Sequence, residues 1–129
     1  MSQAASQYAA FWRDVRVSRK VWTVTDEDGV PAPKTRTGQR AMPFWSSLRR
    51  VQKIIRTVPA YGCFVPKEMA WEEFRDEWLA DLEQQEFLVG VNWSGPHALG
   101  YDVSPGDMRI AGAAIVDKAP GGAPPEATR

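Results

Sequence analysis

One cysteine and one histidine leave this chain with little of the side-chain chemistry from which enzymes and metal sites are built. Cys63 alone excludes an intramolecular disulfide and any multi-cysteine zinc site. Between Gly62 and Phe64 it reads as a small buried apolar residue. Histidine is the commonest general base, but His97 sits in a Gly-Pro turn with no cysteine, serine motif or second histidine near it. There is no Walker loop, no Gly-x-Gly-x-x-Gly and no Gly-x-Ser-x-Gly elbow around Ser46 or Ser47. Asp26, Glu27 and Asp28 resemble the start of a cation loop, yet EF-hand spacing and its closing glutamate are missing. No catalytic residue, metal ligand or cofactor is therefore predicted.

Net charge is absent too: sixteen Lys/Arg balance sixteen Asp/Glu, so global charge points neither to nucleic acid nor to an anionic membrane. The run Ile110 to Val116 is far too short to span a bilayer. Met1 to Gln7 has neither a cationic segment nor an apolar one, so no signal peptide is expected and the expected setting is cytoplasmic.

What is present is organised around Ala70 to Trp93. At about 100° per residue, Trp71, Phe74, Trp78, Leu79 and Leu82 form one helical stripe. Glu72, Glu73, Asp76, Glu77, Asp81 and Glu83 fill the opposite side. Phe87, Val89, Val91 and Trp93 then alternate with Leu88, Gly90 and Asn92, as in a strand buried mainly on one face.

Before it, Tyr8, Phe11, Trp12 and Val15 predict a helix over about residues 4–18, with Ser6 as a candidate cap. Lys20 to Thr25 reads as a strand, and Asp26 to Gly29 as a tight turn returning Val30 onward as a hairpin arm. Pro31 and Pro33 would keep that arm short or at an edge. Arg40 to Trp45 is a further short apolar segment, and Ser46 or Ser47 caps the helix after it. That helix has Leu48, Val51, Ile54, Ile55 and Val58 as its buried stripe and Arg49, Arg50, Lys53 and Arg56 as its wet face. Gly62 to Val65 reads as a short strand and Ala98 to Val103 as the second arm of a hairpin. Ser104-Pro105 opens a last helix running to about Asp117. The expected fold is α+β, a single domain over 4–117 with a mostly antiparallel sheet of about five strands and three to four helices. A disordered Pro/Gly-rich tail is expected at 118–129.

The order of these signals resembles the family catalogued as domain of unknown function 2750. The resemblance rests on Tyr8 and Phe11, Val21-Trp22 through Gly29, Met42-Pro43-Phe44-Trp45-Ser46, Trp71-Glu-Glu-Phe74 with Trp78, Leu79 and Leu82, and Val89 to Trp93. Together they cover roughly residues 8–109. The resemblance implies an α/β domain of bacterial origin, and it carries no activity, substrate or catalytic residue.

Charge is distributed unevenly. Residues 1–66 carry eleven Lys/Arg against four Asp/Glu, whereas 67–129 carry five against twelve. Along the central helix, Glu72–Asp76, Glu73–Glu77 and Glu77–Asp81 are like-charged i,i+4 pairs, each unfavourable by roughly 0.2–0.5 kcal/mol in an isolated helix. This face either pairs with the basic 49–56 helix or meets a cationic protein partner. The second reading makes Glu72, Glu73, Asp76, Glu77 and Asp81 a partner-binding surface. The protein would then be a non-enzymatic binding protein, in its most concrete form an immunity or antitoxin-like inhibitor of a basic toxin. The alternative is a small-ligand-binding or enzymatic domain with a pocket near Trp22, Trp45 and Ser46. Nucleic-acid binding is not expected, because the basic helix face carries no interleaved aromatic side chains.

Overall fold

The computed structural model describes residues 2–116; the tail expected at 118–129 lies outside them. Helix α1 is Gln3–Ser18, capped by Ser2, whose Oγ accepts from the Ala5 amide at 3.1 Å, one turn earlier than the Ser6 cap expected. Phe11, Trp12 and Val15 are its buried stripe, and Arg19 in the left-handed region ends it. Strand β1, Lys20–Thr25, follows at once.

The Asp26–Gly29 turn forms, but no hairpin arm returns beside β1. Pro31 and Pro33 have no ladder donors, and the edge they would occupy is filled by β3, Val65–Ala70. That strand pairs antiparallel with β1 from Lys20↔Ala70 to Thr25↔Val65. It therefore begins where the expected Gly62–Val65 strand was to end. Pro66 is tolerated because β3 is an edge strand. Cys63, outside any strand, is exposed rather than buried.

Strand β2, Ala41–Phe44, runs parallel to β4, Leu88–Ser94, which pairs antiparallel with β5, Leu99–Val103. The five strands thus form two sheets, β1-β3 and a mixed β2-β4-β5, rather than one mostly antiparallel sheet. They are joined by a bridge in which Trp22 and Trp45 exchange backbone hydrogen bonds at 2.8 and 2.7 Å, and by the buried Thr23 hydroxyl, which donates to the Pro43 carbonyl at 2.7 Å. Parallel pairing follows from the long crossover between residues 44 and 88, which has room for helices and so returns the chain in the same direction.

Helix α2, Leu48–Thr57, lies in that crossover. Its cap is Ser47, which accepts from the Arg50 amide. Val51, Ile54 and Val58 are buried and Ile55 half-buried, but Leu48 is exposed. The acidic helix is one rod in three pieces: α3 (Trp71–Glu73), a π turn (Phe74–Trp78) and α4 (Leu79–Gln85). The π turn widens the spacing so that Phe74 and Leu79, five apart, are both fully buried, and Trp78 is left half-buried at the margin. The last helix, α5 (Pro105–Ala111), is capped by Ser104 and stops at Gly112, short of Asp117. A Cβ on Gly112 would lie 2.5 Å from the Trp71 ring, so the chain passes this ring only as glycine.

Two apolar clusters result. One joins α1, the acidic helix and α5 over the three-stranded sheet, with Phe11, Phe44, Phe74 and Leu79 at its centre. The other gathers Trp22, Trp45, Val51, Ile54, Tyr61 and Trp93 between α2 and the strands.

Candidate functional site

The second cluster opens to solvent at one end of β4. There the β4–β5 register shifts between Val91 and Ser94, and Asn92 inside this bulge takes φ 48° while wholly buried. Asparagine is among the few residues that adopt this conformation readily. Bulges of this kind are over-represented next to binding sites, where they re-aim a side chain.

The Asn92 carboxamide is bonded at both ends. Its Oδ1 accepts from the Ser46 amide at 2.9 Å, and its Nδ2 donates to the Gln7 carbonyl and to Ser46 Oγ, both at 3.0 Å. Ser46 Oγ donates to Asp14 Oδ2 at 2.8 Å, and the same carboxylate oxygen accepts from Arg50 Nε at 3.2 Å. Arg50 Nη1 also donates to Gln7 Oε1. One polar chain therefore ties α1, the end of β2, α2 and β4 together. Beside it, Trp45 Nε1 donates to the Trp93 carbonyl at 2.9 Å, satisfying a fully buried indole.

Over this floor lies a cavity of about 400 Å³, within the range typical of small-molecule sites. Trp45, Ile54 and Trp93 form its apolar wall, and Arg50 and Lys53 from α2 contribute its charge. A hydrogen bond from Gln3 Nε2 to Ser94 Oγ at 3.3 Å closes one side of the rim. A second cavity of about 240 Å³ lies on the far side of Trp93, with Tyr61, His97 and Asp102 in its lining. Burial raises the pKa of Tyr61. Burial likewise raises that of Asp102, opposed by the Trp93 Nε1–H bond to its Oδ1 at 3.0 Å. His97 is exposed, in the turn expected for it.

Of the three residues anticipated for a pocket, Trp45 lines the larger cavity. Trp22 is held to Trp45 through the backbone, and Ser46 belongs to the polar floor with its hydroxyl already donating to a carboxylate. Asn92, Asp14, Gln7 and the inward role of Arg50 were not read from the sequence. The one available signal was an asparagine in mid-strand, a residue depleted there.

The acidic residues lie elsewhere. Glu72 is half-buried and pairs with Arg19 at 3.1 Å, where α1 meets β1. Glu73, Asp76, Glu77 and Asp81 are exposed. Glu73 accepts from Trp78 Nε1, and Arg75 bonds to Asp76 at 2.6 Å and holds its carboxyl below the usual range. Glu83 pairs with Arg109 of α5. Among the described residues, Glu77 and Asp81 have no ion pair, and the partners of the acidic helix are Arg19, Arg75 and Arg109 rather than α2, whose Arg50 pairs with Asp14.

The architecture defines an α+β domain with a polar-floored cavity between its first two helices and the end of its central strand. The chain belongs to the family described as protein of unknown function DUF2750, whose sequence model matches residues 8–111 and so spans nearly every element above. No curated protein matches it. Among the described residues, no helix is long and apolar enough to cross a membrane.

Proposed function

We propose that this is a non-enzymatic binding domain whose ligand site is the cavity walled by Trp45 and Trp93. The observation that carries this reading is the fully buried Asn92, held in a left-handed conformation beneath the cavity by Ser46 and Gln7. Its left-handed backbone, which asparagine adopts readily, sits in the β4 bulge and re-aims the carboxamide beneath the cavity. A polar floor joined to α1, α2 and β4 also fixes the cavity's shape before any ligand arrives, which lowers the ordering cost of binding. The test is a small-molecule screen read by the fluorescence of Trp93. Thr57, exposed on the rim, is the blocking position. Thr57→Trp should abolish the hits without lowering the melting temperature, and hits that survive it would place binding elsewhere.

A second reading keeps the acidic face as a docking surface for a cationic protein, immunity or antitoxin-like in its most concrete form. It is supported by the exposure of Glu73, Glu77 and Asp81 on a helix whose ion pairs go elsewhere than α2. Changing these three to serine should leave stability within the usual surface range of about 0.5 kcal/mol. It should slow association with a basic partner and weaken the salt dependence of that rate. A loss of stability above about 1 kcal/mol would instead give the face a structural role.

A further inference from the structure

The charged side chains lining the larger cavity are of one sign. Arg50 and Lys53 both face it from α2, three residues apart and so neighbours on one helical face, while among the described residues no carboxylate lines it. The two cations are presented differently. Arg50 is immobilised at two nitrogens: Nε donates to Asp14, outside the lining, and Nη1 to Gln7, which is part of it, and its side chain is only 27% exposed. Its Nη2 has no hydrogen-bond partner among the described residues. The Lys53 ammonium likewise has no ion pair among them. A guanidinium fixed at two nitrogens with the third free is arranged to donate to one further acceptor. A planar fork of this kind matches carboxylate and phosphate oxygens better than it matches neutral acceptors.

The charge balance agrees. Asp14, outside the lining, is shared between Arg50 and the exposed Arg13, so it offsets at most one of the two cations and leaves at least one positive charge at the opening. A cationic ligand would meet repulsion from Lys53, and a neutral one would leave the Arg50 donor without its best acceptor. Ile54, Trp93 and Pro96 supply apolar wall for the remainder of the ligand. We infer that the cavity takes a small amphipathic oxyanion, with its carboxylate or phosphate between Arg50 and Lys53 and its apolar part against Trp93. This deepens the ligand-binding reading above and rests on it.

The test uses the full chain and three ring compounds of similar size in isothermal titration: benzoate, phenyl phosphate and neutral benzamide. At least one anion should bind about tenfold or more tighter than benzamide, as charge-assisted hydrogen bonds predict. That preference should weaken with added salt. Arg50→Gln and Lys53→Gln should each remove most of the preference, weakening anion binding far more than benzamide binding. The lysine is exposed, so its variant remains informative if Arg50→Gln unfolds the protein. Benzoate against phenyl phosphate decides between carboxylate and phosphate. Equal binding of all three, abolished by Thr57→Trp, would overturn the oxyanion class and keep the ligand site. No binding of any probe up to about 10 mM, or binding untouched by Thr57→Trp, would overturn both.

Discussion

Asn92 and Ser46 are 46 residues apart in the chain and exchange hydrogen bonds in both directions, Ser46 N to Asn92 Oδ1 at 2.9 Å and Asn92 Nδ2 to Ser46 Oγ at 3.0 Å. Through this pair the end of β2 is locked to the bulge in β4 at a point where the regular ladder has stopped, since β2–β4 pairing ends at Phe44↔Val91.

Asn92→Leu should therefore be among the costlier substitutions. It leaves the buried Ser46 amide without its acceptor, removes the extra donor from the Gln7 carbonyl, which keeps its place in the α1 ladder, and asks a γ-branched residue to hold φ 48°. The expected loss is about 2–4 kcal/mol by urea denaturation, one unsatisfied buried amide plus backbone strain. A loss below about 0.5 kcal/mol would mean that water or a relaxed backbone replaces the whole network.

The adjacent serines have separate tasks. Ser47→Ala removes only the α2 cap, for which about 0.5–2 kcal/mol is expected. Ser46→Ala leaves the cap intact and frees Asp14 from its hydroxyl donor, so it should loosen Arg50. Both variants can be compared by melting and by titration with an anionic probe. Only Ser46→Ala should affect the titration.

Gly90 lies under the Trp93 ring so closely that a Cβ would be 2.4 Å from it. Gly90→Ala should cost about 1–3 kcal/mol as an overpacked site. In a Trp93→Ala background most of that cost should vanish, because the obstructing ring is gone. A double-mutant cycle gives the coupling directly, and a coupling near zero would mean that the backbone yields instead of the ring.

Asp102 makes a pH prediction. Its folded-state pKa is raised by burial, so between the unfolded and folded values the native state binds more protons than the unfolded one. Stability on its account then increases as pH falls through the folded pKa, the reverse of a salt-bridged carboxylate. Asp102→Asn keeps an acceptor for Trp93 Nε1 and removes the titration. The wild type should therefore gain on the variant as pH is lowered from neutral toward the ordinary carboxylate range. A difference that is flat in pH, measured by chemical denaturation, would argue against it.

Much of the local structure was legible because single residues decide it. A serine pair before an apolar stripe, Ser104-Pro105, and the apolar run through Val89 and Val91 each encode an element without help from the rest of the chain. Strand β4 is nonetheless buried on both faces rather than on the one that the alternation predicted. What was not legible depends on distant partners. Nothing within Val65–Ala70 beyond Met69 buries itself, so its strand character comes from β1. The π turn was hidden because a uniform 100° step places Trp78 on the same stripe as Phe74, whereas the core accepts Leu79 there. The cavity was half legible. Trp45 stood out by type, but Asn92, Asp14 and Gln7 are ordinary polar residues that become a site only when four elements converge.

The parallel pairing of β2 with β4 has a consequence in time. Ala41 waits for Leu88, and α1 lies against β4 and β5, so neither has its permanent neighbour until most of the chain has left the ribosome. The cavity runs from Gln3 to Pro96 and is complete only after that meeting. Anything bound there would stabilise only chains in which Gln3 to Pro96 have come together, and would favour them over half-assembled ones by mass action.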